Sequence, residues 1–163
     1  MGNSDKLLSK IISCDDFLQQ LPSIREKGLS IVFTNGCFDI LHKGHVQYLY
    51  QAASCGDILV VGLNSDSSVT KLKGTGRPLQ DQESRSLVLA SLFFVDFVIL
   101  FREETPINLI SKIVPDILIK GGDYKAEEIV GHDIVTSHGG KVFTVPLIQD
   151  YSTTSIIQKL KAT

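Results

Sequence analysis

With 163 residues, 43% hydrophobic and 21% charged, the chain fits one globular domain with room for a proper core. A formal charge of −2 provides no global basic field, which argues against a nucleic-acid partner and leaves any anion to a local site. Three cysteines without CxxC spacing, a polar start and no apolar run near the roughly 20 residues of a membrane span point to a reducing cytoplasm, with no secretory leader and no membrane.

The chain reads as a single domain, 1–163, with an N-terminal helical segment over 1–28 and a core over 29–163 that carries the motifs. In the first segment Leu7, Leu8, Ile11, Ile12, Phe17, Leu18 and Leu21 recur at helical spacing over about 5–27, and Pro22 is expected to break or bend the helix. From Ser30 onward, short apolar runs rich in β-branched residues alternate with amphipathic stretches. Strands are expected at 31–33, 58–61, 97–100, 117–119 and 142–145, and helices at 45–54, 83–93, 106–113, 127–137 and 153–161. Strands apolar on both faces and separated by helices predict an α/β fold: a doubly wound, five-stranded parallel sheet with helices on both faces, Rossmann-like. In such a sheet ligands sit beyond the carboxyl ends of the strands, so the residues that follow each strand carry the functional signal.

Directly after the first strand runs Thr34-Asn35-Gly36-Cys37-Phe38-Asp39-Ile40-Leu41-His42-Lys43-Gly44-His45, which is neither a GxGxxG fingerprint nor a Walker A loop. His42 and His45, three apart at the mouth of a helix, share a face, and the helix amino terminus adds free N–H groups and partial positive charge. Together they form a phosphate site. The plainer readings are a capping or core histidine, a zinc site of Cys37, His42 and His45 that lacks a fourth ligand, and Cys37 as a nucleophile.

Residues 35–45 resemble the GxFDxxHxGH signature of the cytidylyltransferase-like nucleotidyltransferase superfamily. Asn64-Ser65-Asp66, Leu72-Lys73-Gly74, Arg77-Pro78, Glu83-Ser84-Arg85, Lys120-Gly121-Gly122-Asp123-Tyr124 and Ser152-Thr153-Thr154 extend the match over residues 30–160. This set is similar to the adenylyltransferase domain of the bifunctional heptose kinase/adenylyltransferases and to stand-alone relatives without the kinase half. The resemblance implies AMP transfer from ATP to D-glycero-β-D-manno-heptose 1-phosphate, giving ADP-heptose for lipopolysaccharide, by an enzyme that is a homodimer. It implies catalytic roles for His42, His45 and Lys73. Thr34, Asn35, Gly36, Phe38, Arg85, Gly121, Gly122, Asp123, Ser152, Thr153 and Thr154 would join the two histidines around the nucleotide. Asn64, Asp66, Lys73, Arg77 and Lys120 would meet the sugar phosphate. Ser155 stands where some relatives carry lysine. A glycerol-3-phosphate cytidylyltransferase-like activity shares the HxGH and Ser-Thr-Thr elements, and a non-catalytic nucleotide-binding module is a third reading.

A triphosphate and a sugar phosphate bring about six negative charges into one cleft. Lys73, Arg77, Arg85, Lys120, two helix amino termini and a Mg2+ ion held mainly by the phosphates are the expected counter-charges, with no dedicated protein metal ligands. The acceptor phosphate is already an anion, so its attack needs positioning and charge stabilisation rather than a strong base. Asp39 either meets the metal or braces its loop. For the dimer, Leu87, Leu89, Leu92, Phe93 and Phe94 offer apolar surface.

Overall fold

The computed structural model describes residues 3–146 and 152–161. Strands β1 (Ile31–Gly36), β2 (Ile58–Asn64), β3 (Phe97–Phe101), β4 (Ile117–Gly121) and β5 (Lys141–Val145) form an all-parallel sheet in the order β3-β2-β1-β4-β5. Alternation along the strands sends Val32, Val61, Leu63, Val98 and Ile119 to one face, where they meet helices α3 (Lys43–Ala53) and α5 (Gln82–Ala90). Ile31, Phe33, Val60, Ile99 and Leu118 pack the other face against α2 (Cys14–Glu26), α6 (Ile107–Ile113) and α7 (His132–Ser137). Burial of each such side chain contributes about 1.5–3 kcal/mol, so two covered faces make the sheet a rigid platform for whatever stands at its edge.

The sheet reverses direction of growth at β1, and that is where it opens. Strand β1 pairs with β2 over six residues, from Ile31↔Ile58 to Gly36↔Leu63, but with β4 only at Val32↔Ile117 and Phe33↔Leu118. Beyond Phe33 the two strands part. The Tyr48 side chain of α3 spans the gap: its hydroxyl bonds Thr34 Oγ1 on β1 and donates to the Ile119 carbonyl on β4 at 3.1 Å.

All five expected strands and the chain-terminal helix α8 (Thr153–Lys161) are present; the helical segments differ in detail. The N-terminal break falls after α1 (Asn3–Leu8), not at Pro22, which lies inside α2. Between them Ile11 bridges to Val98 at the sheet, and Ser13 caps α2 through the Asp16 amide at 3.1 Å. Phe17 and Ile24, buried on either side of Pro22, hold the helix through it. The expected helix over 127–137 divides into a 3₁₀ turn (Ala126–Glu128) and α7 at Gly131, where φ is +93° and a Cβ would lie 2.7 Å from Ile110 Cδ1. Helix α4 (Asp66–Lys73) was not expected. Leu89 turns inward to the core, leaving Leu87 and Phe93 exposed on that helix face and the turn after it. No helix among the described residues is long and apolar enough to cross a membrane.

Candidate active site

Strand β1 delivers the chain into a tight loop that ends at His42, the N-cap of α3. Phe38 takes a left-handed conformation (φ 44°), which is costly without glycine and persists only where the surroundings dictate it. Here the ring folds over Gly36, where a Cβ would sit 2.9 Å from Phe38 Cε2, and meets the His45 ring edge-on at 5.2 Å. Asp39, 1% exposed, ties the loop down. Its Oδ2 accepts from Arg77 Nε at 2.5 Å, and its Oδ1 from the Leu79 and Gln80 amides at 2.7 and 3.0 Å. Burial alone would push this carboxyl up; the Gln80 amide, Arg77 and the Leu79 amide together outweigh it and hold the group below the usual carboxylate range.

The two imidazoles are stacked, with centroids 3.8 Å apart and planes 21° from parallel. His42 Nδ1 accepts the His45 backbone N–H at 3.4 Å, which puts the proton of a neutral His42 on Nε2. Burial lowers the His42 pKa, and burial with repulsion from His42 and Lys73 lowers that of His45 to about 4. Both rings are therefore neutral at pH 7 and can act as hydrogen-bond donors without a mutual charge clash. Among the described residues His45 Nδ1 is buried without a hydrogen bond of ordinary geometry, and the nearby Ile40 backbone only partly opposes the lowering of its pKa.

Two adjoining hollows open at the carboxyl edge of the sheet beside β1 and β4. The smaller, about 260 Å³, is walled by Phe38, His45, Tyr48, Gly121 and Thr153; the larger, about 460 Å³, by Asn64, Leu72, Pro106, Tyr124 and Ile129 among others. They share one wall, made of Asn35, Gly36, Cys37, Lys73 and Lys120. Lys120 Nζ donates to Asn35 Oδ1 and O at 3.2 and 3.3 Å, and burial lowers its pKa. Lys73 stands exposed at the end of α4. At the start of α8 Ser152 and Ser155 cap each other, Ser155 N donating to Ser152 Oγ at 3.0 Å and Ser152 N to Ser155 Oγ at 3.3 Å. A hollow of about 660 Å³ lies at the opposite edge, where β4 and β5 begin, far from these groups. Its Arg25 is committed to Asp116 and the Val114 carbonyl.

A family model described as cytidylyltransferase-like matches residues 33–159, from the core of β1 through most of α8. The chain belongs to the cytidylyltransferase-like family. Membership makes it a nucleotidyltransferase. The bifunctional protein HldE of Nitrobacter hamburgensis is 54% identical over 147 residues, which are 90% of this chain and 30% of that protein. The HldE of Trichlorobacter lovleyi is 49% identical over 152 residues, 93% of this chain and 31% of that protein. The chain thus spans under a third of the curated relatives it matches. Among solved structures, the lipopolysaccharide core biosynthesis protein from Thermoplasma volcanium is 32% identical with a TM-score of 0.62, over 77% of this chain and all of that one. Pantothenate synthetase from Thermus thermophilus, 16% identical with a TM-score of 0.61, shares the fold.

Of the residues assigned from sequence, Asn35, Gly36, Phe38, His45, Lys73, Lys120, Gly121 and Thr153 meet at the smaller hollow of this cytidylyltransferase-like cleft, with His42 stacked on His45. Thr34 lies deeper: it is wholly buried and its hydroxyl is engaged by Tyr48. Arg85 does not reach the cleft. It is 1% exposed, with Nε on the Gln80 carbonyl (3.0 Å), Nη1 on the Cys37 and Asn64 carbonyls (2.6 and 2.8 Å) and Nη2 on Asp66 Oδ1 (2.7 Å). A buried guanidinium spent on protein acceptors braces strand ends. Asp66, 41% exposed, gives one oxygen to Arg85, and Arg77, bonded to Asp39 through Nε, keeps Nη2 buried without a partner among the described residues. Asn64 does wall the larger hollow, although its amide nitrogen is given to Ser68 Oγ at 2.9 Å. Gly122 (φ +124°) and the exposed Asp123 form the turn after β4 and line neither hollow; Ser152 and Thr154 are exposed at the first turn of α8. Among the described residues no three His, Cys, Asp or Glu side chains are grouped to hold a metal, so the zinc reading of Cys37, His42 and His45 has no geometric basis. Sequence reasoning gave no role to Tyr48, Glu104, Tyr124 or Glu128, although Tyr124 closes the Lys120–Tyr124 segment quoted for the resemblance. Tyr48 had a periodic signal, since His45, Tyr48, Leu49 and Ala52 fall on one face of α3.

Proposed function

We propose that the chain transfers AMP from ATP to a sugar phosphate, D-glycero-β-D-manno-heptose 1-phosphate in the first instance, releasing pyrophosphate. The observation that carries this reading is the stacked, neutral His42–His45 pair, whose His45 shares a hollow with Lys73 and Lys120 where β1 and β4 part. A phosphate oxygen of the acceptor attacks the α-phosphorus of ATP. One P–O bond forms, the bond from that phosphorus to the oxygen bridging toward the β-phosphate breaks, and pyrophosphate leaves with the electron pair. No proton need be abstracted from the nucleophile, which suits a cleft whose Asp39 is buried and already accepts three hydrogen bonds. His42 Nε2–H and the His45 ring donate to the oxygens on which charge grows, and Lys73, Lys120 and the α8 amides balance the polyphosphate. Asp39 is 1% exposed and already accepts three hydrogen bonds, so Mg2+ would enter on the phosphate oxygens and supply charge neutralisation.

The segments that resemble the heptose branch support the choice of acceptor, since Asn64, Leu72, Lys73, Lys120 and Tyr124 all wall the larger hollow. The test is pyrophosphate release from Mg2+, heptose 1-phosphate and ATP, CTP or GTP. Turnover is expected with ATP, and His45→Gln is expected to lower kcat by about 10²–10³ while the fold survives. Absence of pyrophosphate with every nucleotide would end the proposal. A cytoplasmic homodimer completes this reading; the exposed Phe93, packed edge-on against Phe94, is its suggested contact. Conversion to a monomer by Phe93→Ser, read by sedimentation, is the expected outcome.

A further inference from the structure

We propose that the larger hollow is the acceptor subsite and takes the polyhydroxylated ring of a sugar phosphate, with Glu104 and Glu128 reading its hydroxyls and Tyr124 covering its C–H face. The proposal rests on the adenylyl-transfer reading above and goes beyond it by dividing the cleft between the two substrates.

The division comes from charge. In the smaller hollow the charged side chains are Lys73, Lys120 and an Asp39 that already accepts three hydrogen bonds, beside the neutral His45 with Tyr48 and Cys37, so the net field favours a polyanion. The larger hollow keeps the same two lysines along the shared wall but adds two acidic residues to its lining, Glu104 and Glu128, both exposed. Those carboxylates repel a triphosphate carrying about four charges, yet accept well from hydroxyls, whose O–H···O⁻ bonds are short and strong. Pro106, Ile129 and Tyr124 supply the apolar surface that a pyranose C–H face needs, and Tyr124 is 53% exposed, open to a ligand. A sugar lying there reaches the lysine wall with its single phosphate. A triphosphate in the smaller hollow reaches the same wall from the other side, which brings nucleophile and α-phosphorus together at Lys73 and Lys120.

The test uses the whole protein with MgATP and heptose 1-phosphate, following pyrophosphate. Replacing both rim carboxylates (Glu104→Ala with Glu128→Ala) is expected to raise KM for the sugar phosphate tenfold or more and to leave KM for ATP within twofold. Tyr124→Ala is expected to act in the same direction. Both side chains of the pair are exposed, and a thermal melt checks that the variant is folded. If the parent protein turns over normally but the double variant keeps its sugar KM, or loses ATP affinity instead, the subsite assignment is wrong while adenylyl transfer stands. If the parent protein releases no pyrophosphate with any sugar phosphate, both fall.

Discussion

Arg85→Lys separates a structural arginine from a phosphate-binding one. The guanidinium makes four hydrogen bonds in three directions, to the Gln80, Cys37 and Asn64 carbonyls and to Asp66. An ammonium offers three donors from one point on a narrower head and cannot reach the end of β2, the loop after β1 and the loop before α5 together. Loss of two of these bonds at about 1–1.5 kcal/mol each amounts to about 3 kcal/mol at the upper end. For a domain of this size that lowers Tm by about 6–12 °C. The assay is a circular-dichroism melt of both proteins, paired with KM for ATP measured at a temperature where the variant is folded. The expected result is a depressed Tm with KM for ATP within about twofold. An unchanged Tm with a tenfold weaker KM for ATP would mean that the guanidinium serves the nucleotide and that the bracing argument is false.

Acidification should destabilise the fold through His45. Its folded pKa of about 4 lies below the unfolded 6.5, so the unfolded chain takes up the proton first. The contribution is complete above pH 6.5 and is lost as pH falls toward 4, by up to about 3 kcal/mol, with His42 adding in the same sense. Urea midpoints at pH 7.5 and 5.0 check this, and His45→Gln should flatten the difference; a midpoint that rises on acidification refutes it. Gly36→Ala places a methyl 2.9 Å from Phe38 Cε2, in a ring that also meets His45 edge-on at 5.2 Å. It should cost about 1–3 kcal/mol and lower kcat at least tenfold. Wild-type kcat in this variant would show that the ring gives way freely.

Much of the architecture was legible because burial on both sheet faces writes itself as unbroken apolar runs such as residues 58–61 and 97–100, and these fixed the strand positions. Helix α4 left almost no such trace: Val69 is its one buried apolar side chain among largely polar neighbours, and the capping pair Ser65 and Ser68 was the available cue. Pro22 misled because local backbone preference was set against packing, and packing on Phe17 and Ile24 prevailed. In the site, the pairing of His42 with His45 was readable from spacing at a helix mouth, while the roles of the loop residues before them came only from the resemblance. Arg85 was not, since a cation beside a motif looks the same whether it faces water or the interior. Its place four residues before the buried Leu89 put it on the inner face of α5, a signal that charge obscured. Glu104, Tyr124 and Glu128 come to the cleft from two separate loops, and no spacing in the chain encodes that meeting.

The early divergence of β1 from β4 also determines how the binding slot can evolve. Its floor is unzipped main chain: past Phe33 and Leu118 the facing edges are no longer ladder partners, and side chains such as Tyr48 and Lys120 occupy only some of those polar groups. Peptide amides and carbonyls are the same whatever amino acid bears them. A recognition surface built from them tolerates drift in sequence, so descendants of one such chain can change the guest at the rim while the host for the common guest is inherited intact.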